Sequence, residues 1–202
     1  MNMIKPEYSL QRSPIYRELI DDKDKNSLDA PCLIDFSLLP RMGYRGTNAE
    51  QFLRSMNFPI PEKANQCLMS EQGEWVLRLS QKEFWLLSQP QENINSTLLG
   101  STLPDRECYS LYCQNSHAWF ALTGKYCSDI LAKICGVDLR SSEFPVGAVV
   151  QTSVARVNAI IVHHVISDEQ VFSILSDSAS ATYLWNALLD AMAEYGGRVE
   201  KQ

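Results

Sequence analysis

The apolar positions of this chain change period in the same order twice. In the second half, His117-Ala-Trp-Phe-Ala-Leu-Thr123 is an apolar run closed by Gly124. Cys127, Ile130, Leu131, Ile134 and Cys135 then recur at three and four residues, the period of a one-sided helix, and Gly136 stops it. Ser141-Ser-Glu-Phe-Pro-Val-Gly147 is turn-rich and breaks helix. A β-branched series from Val149 to His164 follows, long enough for two strands or one long bent strand. In the first half, Leu39-Pro-Arg-Met-Gly-Tyr-Arg-Gly46 sets Gly46 against Gly124. With no gap, Ala49, Phe52, Leu53 and Met56 then fall on Cys127, Ile130, Leu131 and Ile134. Two strand pairs continue the match. Trp75–Leu79 and Phe84–Leu87 flank Ser80-Gln-Lys-Glu, and Ile160–His164 and Val171–Leu175 flank Ser167-Asp-Glu-Gln. Helix candidates end each half, around Ile94–Leu99 and over Ser180–Tyr195.

The pattern predicts an internal duplication with a strand–helix–strand–strand–helix unit in each half, over about 32–99 and 108–196. Neither unit can cover its own sheet, so the expected class is α+β with one shared core in a single domain over 31–197. Residues 1–30 are polar and show no clear period. Tyr8, Leu10, Ile15, Tyr16, Leu19 and Ile20 give them apolar anchors, which favours an extension that packs on a partner over a tail. Asn48 with Gln51 three residues on reads as a capping box, and Pro59 and Pro61 end that helix. Residues 62–73 read as a loop, and 100–107 as a short link between the halves. The last helix spreads Leu184, Trp185, Leu188, Leu189, Met192 and Tyr195 so widely that it is either covered on two sides or lies at a subunit interface. Gly196-Gly197 ends it.

Composition narrows the function classes. The chain has 202 residues, 45% of them hydrophobic and 21% charged, with a formal net charge of −6, which argues against a nucleic-acid binder. It shows neither a secretory signal nor an apolar run long enough to span a bilayer, so a soluble, cytoplasmic protein is expected. Cys32, Cys67, Cys108, Cys113, Cys127 and Cys135 form no Cys-x-x-Cys pair and no zinc spacing; Cys127 and Cys135, on the apolar side of the proposed helix, read as small hydrophobes, the free cysteines expected of the cytosol.

Chemistry-bearing residues are sparse. His117, His163 and His164 are the three imidazoles. Neighbours on a strand face opposite ways, so His163 and His164 are not expected to share a metal. Gly43-Tyr-Arg-Gly46 lacks the spacing of a pyrophosphate loop. Asp35 and Asp138 read as turn or cap carboxylates. Arg156, inside Val154-Ala-Arg-Val-Asn, must reach the surface, a chain partner, an interface or a ligand anion. No catalytic, cofactor-binding or metal-ligating residue is assigned.

Asp35-x-Ser37, Gly46-x-x-Ala49, Phe52-Leu53, Leu77-Arg-Leu79 and Glu83-Phe-Trp-Leu-Leu87 resemble the folate-binding aminomethyltransferase superfamily. Leu122-x-Gly124, Cys135-Gly-Val-Asp-Leu139, Phe144-Pro-x-Gly147, Ala155-Arg156, Phe172-x-Ile-Leu175 and Ala181-x-Tyr-Leu-Trp185 narrow the resemblance to the gamma-subunit family of heterotetrameric sarcosine oxidases, over about 30–196. The resemblance implies a non-catalytic accessory subunit packed against large flavin- and folate-type subunits. It holds no cofactor itself, while FAD, FMN, NAD, tetrahydrofolate and zinc sit in partner subunits. The complex would demethylate sarcosine oxidatively to glycine and pass the one-carbon unit to tetrahydrofolate. The equivalent subunit of an N-methylglutamate dehydrogenase, a stand-alone folate-binding or methyl-transferring enzyme, and a scaffold with another partner are the alternatives. The folate enzymes carry Asp-Asp before the first strand of the pair, where this chain has Gln72-Gly73.

Overall fold

Chain order already shows the repeat. The first half supplies β1 (Cys32–Asp35), β2 (Arg41–Arg45), α1 (Ala49–Ser55), β3 (Gln66–Met69), β4 (Trp75–Arg78) and β5 (Glu83–Leu87). The second supplies β6 (Tyr109–Leu111), α2 (Cys113–Ser116), β7 (His117–Thr123), α3 (Cys127–Ala132), β8 (Val149–Val154), β9 (Val157–Ile166), β10 (Glu169–Asp177), α4 (Ala181–Met192) and β11 (Arg198–Glu200). The computed structural model describes residues 13–15, 30–89 and 107–200. The helix candidate at 94–99, most of the link at 100–107 and most of the extension at 1–30 lie outside them.

Two sheets form, in the orders β3-β4-β5-β2-β6 and β8-β9-β10-β7-β1-β11. Their first four strands correspond one to one, so the duplication is real. The repeating unit is strand–helix–three strands, one strand more than the pattern predicts in the first half. β3 falls in the stretch read as a loop because only Cys67 of its four residues is buried, leaving no alternation to read. The β-branched series resolves into β8 and β9. They turn at Ala155 and Arg156 with φ of 48° and 69°, both positive as a two-residue hairpin loop requires.

The halves exchange their leading strands. β1 lies against β7 of the second half, with Cys32 opposite Thr123, and β6 lies against β2 of the first, with Tyr109 opposite Arg45. The shared glycines sit where each exchanged strand arrives. At Gly46 (φ 145°) a Cβ would stand 1.9 Å from the Glu107 carbonyl oxygen, and at Gly124 (φ 95°) 3.1 Å from that of Ala30. No side chain fits the first position, and the backbone angle disfavours one at the second.

Alternation along the strands builds three cores in four layers. Phe120, Leu122, Ile161 and Ile174 face α3 and α4, meeting Ile130, Leu131, Leu184, Trp185 and Leu188. Trp119, Ala121, Val162 and Leu175 face the other sheet, meeting Trp75, Leu77, Trp85 and Leu87. Tyr44, Val76, Phe84 and Leu86 face α1 through Ala49 and Leu53. The sheets are also stitched along one side, where Cys67 N–H donates to Gly147 O (2.8 Å) and Val149 N–H to Asn65 O (3.0 Å).

Three local expectations resolve differently. Asn48 makes no side-chain cap on α1; its backbone N–H goes to Glu107 O at 3.1 Å. That helix ends before the prolines, at Asn57 with φ 64°. There Phe58 N–H reaches Leu53 O (3.1 Å) and Asn57 N–H reaches Arg54 O (3.0 Å), the two bonds of a left-handed C-cap. The broad face of α4 is covered within the chain. Trp185 packs on Phe120 at 5.1 Å, and Leu184, Leu188 and Met192 are buried, so these residues form no exposed interface. Of the extension, Ile15 is buried against the chain's own α3–α4 core rather than offered to a partner, and the Ser13 hydroxyl donates to Asp35.

Candidate functional site

β9 places His163 and His164 on opposite faces, both buried. His163 lies among Phe172 (4.5 Å between ring centres) and Phe144 (6.1 Å), with Nδ1 at 2.7 Å from Phe144 O. His164 points between the sheets, edge-on to Trp75 at 4.6 Å, with Nε2 2.7 Å from Ser173 Oγ. Trp119 Nε1–H donates to the same hydroxyl at 2.7 Å. Indole can only donate, so Ser173 accepts there and keeps its own hydrogen for a neutral His164. Burial, then the neighbouring His163, hold the His164 pKa down at about 3. His117 begins β7, edge-on to Trp85 at 4.8 Å and hydrogen-bonded through Nδ1 to Ser116 Oγ at 2.8 Å. The three imidazoles are therefore spread over separate environments. Among the described residues no three His, Cys, Asp or Glu side chains gather as a metal site.

The densest polar cluster lies where the two crossovers pass, and the sequence reading missed its centre. Arg41 is only 2% exposed. It donates to the carbonyls of Ser37 (2.9 Å), Leu39 (3.1 Å), Cys113 (3.2 Å) and Gln114 (2.9 Å), and to that of His117. Burial lowers its pKa to about 10. Asp35 accepts from Ser37 N–H at 2.9 Å, and Ser37 Oγ accepts from Trp119 N–H at 3.0 Å. These groups tie the β1–β2 connection to the β6–β7 connection. Apart from the Ser13 hydroxyl on Asp35, these bonds are made with main chain, which suits a structural seam rather than a reacting centre.

Arg156, in contrast, is exposed on the β8–β9 turn. Asp138 closes a turn on Arg140 N–H at 3.1 Å and pairs with its guanidinium. All six cysteines are buried and free. Burial raises the thiols of Cys67, Cys113 and Cys127 to about 12, far from nucleophilic range.

Two clefts occupy matching places in the halves. One, of about 520 Å³, is bordered by Thr47, Lys63, Arg78 and Lys82. The other, of about 480 Å³, is bordered by Gly124, Lys125, Glu169 and Arg198. Both carry charge of either sign, Glu62 beside Lys63 in the first and Glu169 with Arg198 in the second. Gln72 and Gly73 form the β3–β4 turn, Gly73 with φ 92°. The adjacent carboxylate, Glu74, is buried and accepts from Ser70 Oγ at 2.6 Å.

The chain matches the GCVT N-terminal domain over residues 8–199. No protein of curated function matches it in sequence. A chain of the heterotetrameric sarcosine oxidase from Corynebacterium sp. U-96, solved with pyrrole 2-carboxylate, is similar with a TM-score of 0.75 and 22% identity. That alignment covers 93% of this chain and 97% of the other. Glycine cleavage system aminomethyltransferase T from Bartonella henselae is similar at 0.59 and 21% identity, over 85% of this chain and 47% of that one. This chain thus spans about half the aminomethyltransferase. The likeness in both cases is one of fold.

Proposed function

Because this chain belongs to the GCVT N-terminal domain family, we propose that it is a non-catalytic, gamma-type subunit of a heterotetrameric, sarcosine-oxidase-like complex. The supporting observation is length. One chain of such a heterotetramer is matched almost end to end, 93% against 97%, whereas an aminomethyltransferase is matched over 47% of its length. In this reading the partners are large flavin- and folate-type subunits, holding FAD, FMN, NAD, tetrahydrofolate and zinc between them. The reaction is oxidative demethylation of sarcosine to glycine, with the one-carbon unit passed to tetrahydrofolate. The equivalent role in an N-methylglutamate dehydrogenase fits equally, since the flavin subunit would choose the amine.

In this reading the chain itself holds no folate. An amide and a glycine stand at 72 and 73, and the neighbouring Glu74 carboxylate is turned inward onto Ser70. The turn's other carboxylate, Glu71, is exposed and precedes those two positions. Co-expression with large subunits of both types tests the proposal. The expected result is a stable complex containing this chain in equal amount. The isolated chain should be colourless, should not oxidise sarcosine, and should gain nothing from tetrahydrofolate. Bound flavin or turnover in the isolated chain overturns it, and so does failure to co-purify.

A further inference from the structure

The duplication provides an internal reference for every strand edge, and one edge departs from it. In the registers of β1 on β7 and β6 on β2, Tyr109, Ser110 and Leu111 correspond to Cys32, Leu33 and Ile34. The outer side of β1 is covered by β11, which runs parallel with Cys32 opposite Arg198, Leu33 opposite Val199 and Ile34 opposite Glu200. Among the described residues no strand lies on the outer side of β6. The difference in exposure is large. Cys32 and Leu33 are 1% and 0% exposed, while Tyr109 and the following Tyr112 are 65% and 80%.

The same reference gives the direction of the backbone groups. The Pro31 carbonyl faces outward and accepts from Arg198 N–H of β11 at 2.9 Å, and Phe36 N–H faces inward and donates to Trp119 O at 2.8 Å. Successive strand residues alternate in this respect, so Leu33 faces β11. Its counterpart Ser110 therefore turns its N–H and C=O away from β2. Arg45, opposite Tyr109, is already paired with Glu83 at 2.6 Å. The edge thus offers aromatic surface and main-chain groups rather than unpaired charge.

We infer that the outer edge of β6 receives an extended segment of a large partner subunit as a parallel strand, apolar opposite Tyr109 and Leu111 and small or polar opposite Ser110. This rests on the subunit reading above. Main-chain bonds give such strand addition its affinity, and alternate side chains give it selectivity. A second copy joined edge to edge about a two-fold normal to the sheet would run antiparallel, against the β1–β11 reference.

The test uses the full chain co-expressed with the large subunits. Ser110→Pro removes the outward N–H and leaves the inward groups of Tyr109 and Leu111 in place; Ser110→Ala keeps it. Ser110→Ala should assemble like the wild type, and Ser110→Pro should lower the yield of complex about tenfold. Hydrogen exchange of the wild-type protein gives a readout independent of any variant's folding. The Ser110 amide should be slow in the complex and fast in the isolated chain. Equal, fast exchange in both overturns the docking site while leaving the subunit reading intact. Protection already present in the isolated chain overturns it too: a monomer then covers its own edge, and a dimer uses a second copy. If the wild type does not co-purify at all, the subunit reading falls and this partner falls with it.

Discussion

A methyl group at Gly46 would occupy the space of a carbonyl oxygen on the incoming β6 segment, whereas at Gly124 it would only press on one. Gly46→Ala should therefore cost about 3 kcal/mol or more and Gly124→Ala about 1–2 kcal/mol, read from urea unfolding. Both glycines were legible as a repeated mark, although their reason, the arrival of an exchanged strand, was not. His164 gives a second prediction. Its folded pKa of about 3 lies below the ordinary 6.5, so between those values the unfolded chain binds a proton that the folded chain refuses. Its contribution leaves stability unchanged above about pH 6.5 and lowers it as pH falls towards 3, by about 1.4 kcal/mol per pH unit. Compared between pH 7 and 5, His164→Gln should lose about 2 kcal/mol less than the wild type. Opposite faces for His163 and His164 followed from strand geometry alone. Arg41 did not. Sequence singles out a charge within a β-branched run, as at Arg156, but gives no sign that five carbonyls converge on the guanidinium beside Pro40.

Elements that bury a long apolar series were readable, and elements without one were not. β4, β5, β9, β10 and α4 bury long apolar series and stand where the pattern puts them. β3 buries one residue in four, and β6 and β11 have three residues each, so none has a period to read. The turns offer a test at this scale. Ala155 and Arg156 both hold positive φ, which Asn and Gly adopt more easily. The double substitution Ala155→Asn with Arg156→Gly should raise stability by about 1 kcal/mol, measured as a higher urea midpoint with an unchanged slope. A lower midpoint would mean that Arg156 supplies something its exposed position does not suggest.

For the whole molecule, the seam around Arg41 joins the crossovers of the two halves. Arg41→Met would leave several buried carbonyls short of a donor and should cost about 3–5 kcal/mol. Arg41→Lys should recover only part of that, because an ammonium cannot span the fork. Thermal unfolding in one transition for the wild type, and a large downward shift for Arg41→Met, would bear this out. The same architecture governs how the chain must be made. On the ribosome β1 emerges early, but its neighbours β7 and β11 come from the far half, and the first sheet stays incomplete until β6 follows. Each half therefore waits on the other, and the pairings that finish both sheets are among the longest in sequence. A fragment ending after β5 should stay unfolded, an expectation that circular dichroism of residues 1–89 can check. An ancestral single unit with this topology would have had to borrow its leading strand from a second molecule. In the present chain that exchange is intramolecular, each half supplying the strand that the other lacks.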